Sequence, residues 1–308
     1  MAAPSRPAGL TILAVLLALT SVGTILFWID WFFGGHVATA GEACYVAFEN
    51  AFPLADGVMV LFMLLAALGL WRVAPAGYLF GLLGAGGLLC LGGLDTSFNL
   101  QHGKYAAIAD PAMAFEAYIN VHSFLMGALT IVLVHRHRAR LLVGSMPSGA
   151  AEGTTVLLRM SALVFILFFG RVAAAWGSAH PWTFTAPSGA SCVAIFDATF
   201  PTAEALAALA ALLAAAGFFL FRPFGLTFGL TASGALAFLA SMKTLFLLQN
   251  AGPKLPPTPG RIGWLVFLYS FAIVSALAAW RARGRLLARD AAPGGPAPGG
   301  PARNAGRL

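Results

Sequence analysis

The chain has 308 residues, of which 59% are hydrophobic and only 9% charged, with a mean hydropathy of +0.84. Soluble domains carry about 25% charged residues, so this composition excludes a water-soluble globular protein and places the chain in a membrane. A formal net charge of +7 and a pI of about 9.8 do not call for nucleic acid, because the basic residues cluster in loops where they face anionic lipid.

Eight apolar stretches of about 20 residues, the length that spans a bilayer, are read as helices over 9–33, 53–73, 77–98, 112–135, 154–177, 200–221, 224–247 and 262–282. The first stretch has a signal-peptide alternative, since Arg6 precedes it and Ala38-Thr39-Ala40 offers a small-x-small cleavage site. The run exceeds the roughly 7–15 residues of such a signal, and Trp28-Ile29-Asp30-Trp31 occupies the cleavage region. It is read as a retained helix.

Residues 44–101 recur at 192–249 without a gap, 148 positions later, with 23 of 58 aligned positions identical. Cys44-x3-Phe48-Glu49-x2-Phe52-Pro53-x2-Asp56 becomes Cys192-x3-Phe196-Asp197-x2-Phe200-Pro201-x2-Glu204. Pro75-x-Gly77-x2-Phe80-Gly81-Leu82 becomes Pro223-x-Gly225-x2-Phe228-Gly229-Leu230, and Thr96-x-Phe98-x-Leu100-Gln101 becomes Thr244-x-Phe246-x-Leu248-Gln249. The expected fold is therefore an all-α integral membrane protein of eight helices, built as a tandem duplication of a four-helix unit. Its parts are a first repeat over 1–136, a cytoplasmic linker over 137–153, a second repeat over 154–289 and a Pro/Gly-rich disordered tail over 290–308. An even number of helices per unit inserts both halves the same way up, with the pseudo-twofold axis along the membrane normal.

Charge sets the orientation. With the N-terminus cytoplasmic, 13 of 18 basic residues lie inside, Arg72, Arg136, Arg138, Arg140 and Arg222 among them, while only Glu152 and Asp290 of eleven acids do. The positive-inside rule then predicts a multi-pass protein of the cell membrane with both termini cytoplasmic.

Ionisable and polar residues inside apolar helices usually face a partner or a wet cavity, because a charge in the bilayer costs a few kcal/mol, roughly 2.5–3.5 at the helix centre. The candidates are Asp30, Glu49, Asp56, Asp95, Glu116, Asn120, His122, Arg171, Asp197, Glu204 and Lys243, all expected in the outer third of the bilayer. Helix capping is the competing reading, strongest for Glu116 and Arg261 near loops. Glu49/Asp197 and Asp56/Glu204 keep a carboxylate across the repeat. Asp95 aligns with Lys243, and looser alignments set Asp30 opposite Arg171 and Glu116 opposite Arg261. Such switched positions predict ion pairs across the repeat interface, or a pocket with a cationic and an anionic side suited to a zwitterionic or anionic group.

Gly77-x3-Gly81 and Gly225-x3-Gly229, with Gly86 and Gly234 further along, are small-xxx-small patterns that let helices approach closely. Cys44 and Cys192 occupy equivalent outer loops, where either a disulfide joining the halves or two reduced thiols fits; Cys90 is expected to pack. The histidines form no HExxH or HxxxH pair, so neither a metal site nor a cofactor is expected. Helix 4 carries two polar ridges, Glu116/Asn120 and Tyr118/His122, and is the expected site-lining element.

Three functions fit this pattern. One is a protein with an outward-facing polar pocket between the halves, binding or transporting a small polar or amphipathic solute. A second is a membrane-embedded enzyme on a lipid or isoprenoid substrate, with Asp56, Asp95, Glu116, His122 and Glu204 supplying general acid and base. The third is an assembly partner whose core is sealed by ion pairs.

Overall fold

The computed structural model describes residues 6–38, 41–142, 154–164, 191–250 and 258–290. Every regular element among them is helical: α1 (Ala8–Phe33), α2 (Ala43–Glu49), α3 (Phe52–Trp71), α4 (Pro75–Gln101), a 3-10 turn (Lys104–Ala107), α5 (Pro111–Arg136), α6 (Arg138–Leu141), α7 (Thr154–Val164), α8 (Cys192–Phe219), α9 (Phe224–Asn250) and α10 (Pro259–Asp290). Among the described residues, seven helices are long and apolar enough to cross a membrane, with α2 and α3 together making one of them. The helix expected over 154–177 is described only as α7; its remainder, with Arg171, lies outside the described residues, as do residues 143–153 of the expected linker and 291–308 of the expected tail.

Burial runs opposite to hydropathy. Among these spans, α1 is the most apolar and the least buried, whereas α4 and α9 are the least apolar and each 83% buried over the central stretch. Ile12, Val15, Leu19, Val22, Ile25, Leu26 and Ile29 all point outward from α1. A surface of this kind is stable against lipid tails and not against water. The chain is a polytopic membrane bundle.

At its centre α4 and α9 cross through glycine. A methyl added at Gly86 would fall on the Thr231 carbonyl, and one added at Gly234 would fall on the Leu83 carbonyl. Leu83 and Thr231 are themselves 148 positions apart, so the contact is reciprocal. The turns leading into both helices match as well. Ala74 N–H reaches Gly69 O at 2.8 Å and Arg222 N–H reaches Gly217 O at 2.8 Å. Such a 6→1 bond needs a left-handed residue just before it, and Val73 and Phe221 both take φ 52°. Each turn closes so tightly that the Gly69 and Gly77 backbones touch, as do those of Gly217 and Gly225.

The disulfide reading of the cysteines holds: Cys44 and Cys192 are bonded, with Cα atoms 4.8 Å apart. Beneath the disulfide Phe48 stacks on Phe98 at 4.1 Å and Phe196 on Phe246 at 3.6 Å, while Phe48 meets Phe196 edge-on at 6.4 Å. Cys90 is fully buried, its thiol directed at the carbonyls of Ala203 and Ala235.

Helix boundaries depart from expectation at the prolines. α8 starts at Cys192 instead of 200, so Pro201 lies inside it. The equivalent stretch of the first half breaks at Asn50 and Ala51, which leaves Pro53 in the first turn of α3. Thr199 donates its hydroxyl to Phe196 O at 2.7 Å, one residue before Asp197, whose carbonyl loses its helical donor to Pro201. Ala51, its counterpart, has no hydroxyl to offer.

Candidate functional site

A cavity of about 340 Å³ is walled by α1, α2, α3, α4 and α5. The sequence pattern pointed instead to a pocket between the halves. Where α4 and α9 cross, glycine packing brings the two backbones together at Gly86 and Gly234. Looser space opens between α1 and α5, where Leu19, Phe115 and Tyr118 belong both to the cavity and to the bundle's exposed surface. That rim faces the membrane. The cavity reaches from Glu49 and Asp56, beside the α2–α3 break, to Leu88, midway along α4.

Four carboxylates line it, all buried: Glu49 from the end of α2, Asp56 one turn into α3, Asp95 from the last third of α4, and Glu116 from the first turns of α5. Glu49 and Asp56 flank the break between α2 and α3, and both line the cavity. Asp56 Oδ2 accepts from the Trp28 indole N–H at 2.9 Å. Its Oδ1 is buried without a hydrogen-bond partner, and so is Asp95 Oδ1. Glu116 is held from two sides, by Asn99 Nδ2 at 2.7 Å and by a longer bond from the Tyr45 hydroxyl at 3.4 Å. Deeper in, Thr20 Oγ1 donates to Leu16 O at 2.9 Å and lies 3.0 Å from His122 Nε2.

The apolar part of the wall is Leu16, Leu19, Phe27, Phe52, Leu88, Leu91 and Ile119. Among the described residues no lysine or arginine lines the cavity. Lys104 sits outside it, 3.7 Å over the Tyr45 ring and 4.0 Å from Glu42. The pocket with a cationic and an anionic side is thus replaced, among the described residues, by a carboxylate end and an apolar end.

The other candidates go elsewhere. Asp30 turns into the loop after α1, accepting from Val37 N–H at 2.9 Å and pairing with exposed His36 at 2.8 Å. Asn120 faces away toward the Tyr105 hydroxyl at 2.9 Å. Lys243 pairs with Glu204 of its own half at 3.8 Å, its ammonium 3.6 Å over the Phe200 ring, so the alignment of Asp95 with Lys243 produces two different environments. Asp197 is exposed and, with Lys243 and Arg261, borders a second groove of about 270 Å³. Arg171 lies outside the described residues.

Trp28, Asn99, Thr20 and Ser123 belong to the site and were not singled out from sequence. For Asn99 a signal existed, since its repeat counterpart is Leu247. A polar group present in one half only marks where the halves diverge. Among the described residues no three His, Cys, Asp or Glu side chains are grouped to hold a metal. No protein-family model, curated protein or solved structure matches the chain.

Proposed function

We propose that this is a cell-membrane protein of eight spans, two homologous four-helix units inserted the same way up, whose first unit binds or carries a small amphipathic solute admitted sideways from the bilayer. One observation carries the reading: a cavity in the size range of small-molecule sites has buried carboxylates at one end, apolar walls at the other and a rim on the membrane-facing surface. A solute with a polar head and an apolar tail matches that division.

The parallel arrangement of the units has its own support. Cys44 with Cys192, Phe48 with Phe196, and Gly86 with Gly234 are contacts between a residue and its counterpart 148 positions on. Only residues near a twofold axis touch their equivalents, and these pairs run from the outer loops to mid-bundle. A disulfide belongs in an oxidising compartment, while Arg72, Arg136, Arg138, Arg140 and Arg222 gather at the opposite end. That division supports cytoplasmic termini.

The same membrane-facing rim also favours a second reading, an enzyme on a lipid substrate, with Asp56 or Glu116 as acid and His122 as base. Filling the cavity tests the shared premise. Gly23 borders the cavity and has open space where a side chain would go, so Gly23→Trp is expected to plug it. Mass spectrometry of organic extracts from purified protein should find an amphipath with the natural chain and not with Gly23→Trp. An identical extract from both would refute the reading. Proteoliposomes loaded with that amphipath then separate carriage from turnover.

A further inference from the structure

The second half contains a built-in picture of what the first half lacks. On α8 and α9, Glu204 faces the Lys243 ammonium at 3.8 Å, and that ammonium lies 3.6 Å above the Phe200 ring. The equivalents in the first half are Asp56, Asp95 and Phe52. All three line the cavity. The carboxylate and the ring are retained, but the residue that supplies the cation has become a second carboxylate. Asp56 and Asp95 are 4% and 8% exposed, both line the cavity, and each has a buried oxygen without a hydrogen-bond partner. A carboxylate taken out of water is stable beside an opposite charge, and an aromatic face adds to the attraction for a cation.

We propose that the solute carries a positively charged, hydrogen-bonding head, a protonated amine on an apolar tail, and that this head occupies in the first half the place Lys243's ammonium holds in the second. The proposal rests on the reading of the cavity as an amphipath site and adds the charge. An ammonium between Asp56 and Asp95 gives the two carboxylates a cation and leaves the Phe52 ring beneath it, while the tail lies along Leu88, Leu91 and Ile119 toward the opening between α1 and α5. Trp28 acts as a positioning residue, fixing the Asp56 carboxylate through its second oxygen.

The test uses the full chain in nanodiscs and three ten-carbon probes that differ only at the head: decylammonium, decanoate and decanol. Saturable binding above lipid partitioning is measured by equilibrium dialysis. Decylammonium should bind at least tenfold more tightly than the other two. Asp95→Lys, which installs the second half's own cation, should weaken decylammonium at least tenfold, as should Asp56→Asn; Asp110→Asn, an exposed helix cap, should leave it within twofold. Equal binding of all three probes, or undiminished decylammonium binding by folded Asp95→Lys protein, would overturn the charge assignment and leave the amphipath site standing. Absence of saturable binding by any probe would overturn both. If Asp95→Lys fails to fold, the order of the three probes on the natural chain decides alone.

Discussion

Adding one methyl at Gly86 should reveal how closely α4 and α9 are held. The new Cβ would overlap the Thr231 carbonyl and crowd Ala235 N, which are backbone atoms that cannot rotate away. The helices must separate, at a cost of roughly 1–3 kcal/mol for an overpacked contact. Alanine's better helix propensity returns up to about 1 kcal/mol. The expected net loss is therefore about 1–2 kcal/mol. Gly234→Ala meets the Leu83 carbonyl in the reciprocal position and should cost the same. The double variant is the sharper measurement. Once one methyl has parted the helices, the second enters a gap already open, so the pair should fall short of additive by about 0.5 kcal/mol or more. Gly57, with nothing within 4 Å of its added methyl, should become more stable by about 0.5–1 kcal/mol as alanine. Reversible unfolding in mixed micelles, titrated with dodecyl sulfate, reads all four. Strict additivity of Gly86→Ala and Gly234→Ala, or a Gly57→Ala loss as large as theirs, would refute the account of the crossing.

Reducing the Cys44–Cys192 bond opens a loop of 148 residues, for which the chain-entropy model gives about 5 kcal/mol. Helices retained in the membrane restrict the unfolded chain already, so the loss in the same titration should be smaller, about 2–4 kcal/mol; an unchanged midpoint after reduction would contradict the clasp. Glu204→Gln should cost roughly 3 kcal/mol, the lower end for breaking a buried pair, because Lys243 keeps the face of Phe200. Adding Lys243→Met should recover most of it, and a double variant no better than the single would show that the pair is not the unit. Trp28→Phe removes the only described donor to Asp56 and should cost about 1–3 kcal/mol; a variant of natural stability would mean that the indole bond is dispensable.

Much of this architecture was legible in the residues themselves. Apolar runs of bilayer length on a chain almost without charge specify membrane helices whatever their packing, because lipid offers the backbone no partner outside a helix. The unbroken 148-residue offset named the equivalent positions, and the cysteines, glycines and proline turns at those positions do make matching contacts. What an alignment states is equivalence. It does not state which neighbour completes each residue, and several differences between expectation and structure are of that kind. Asp30 turned to His36 in its own loop, Lys243 to Glu204 in its own half, and Asn120 to Tyr105 outside the cavity. Nor could periodicity say which helix faces enclose the site, since lipid-facing and core-facing surfaces are both apolar and no polar stripe separates them. The glycine crossing of α4 and α9 brings the two helices into backbone contact at Gly86 and Gly234, a closeness that no alignment states. The tertiary structure placed a cavity among α1 to α5, where Asp95 stands at the position aligned with a lysine and, among the described residues, no lysine or arginine joins the buried carboxylates in its wall.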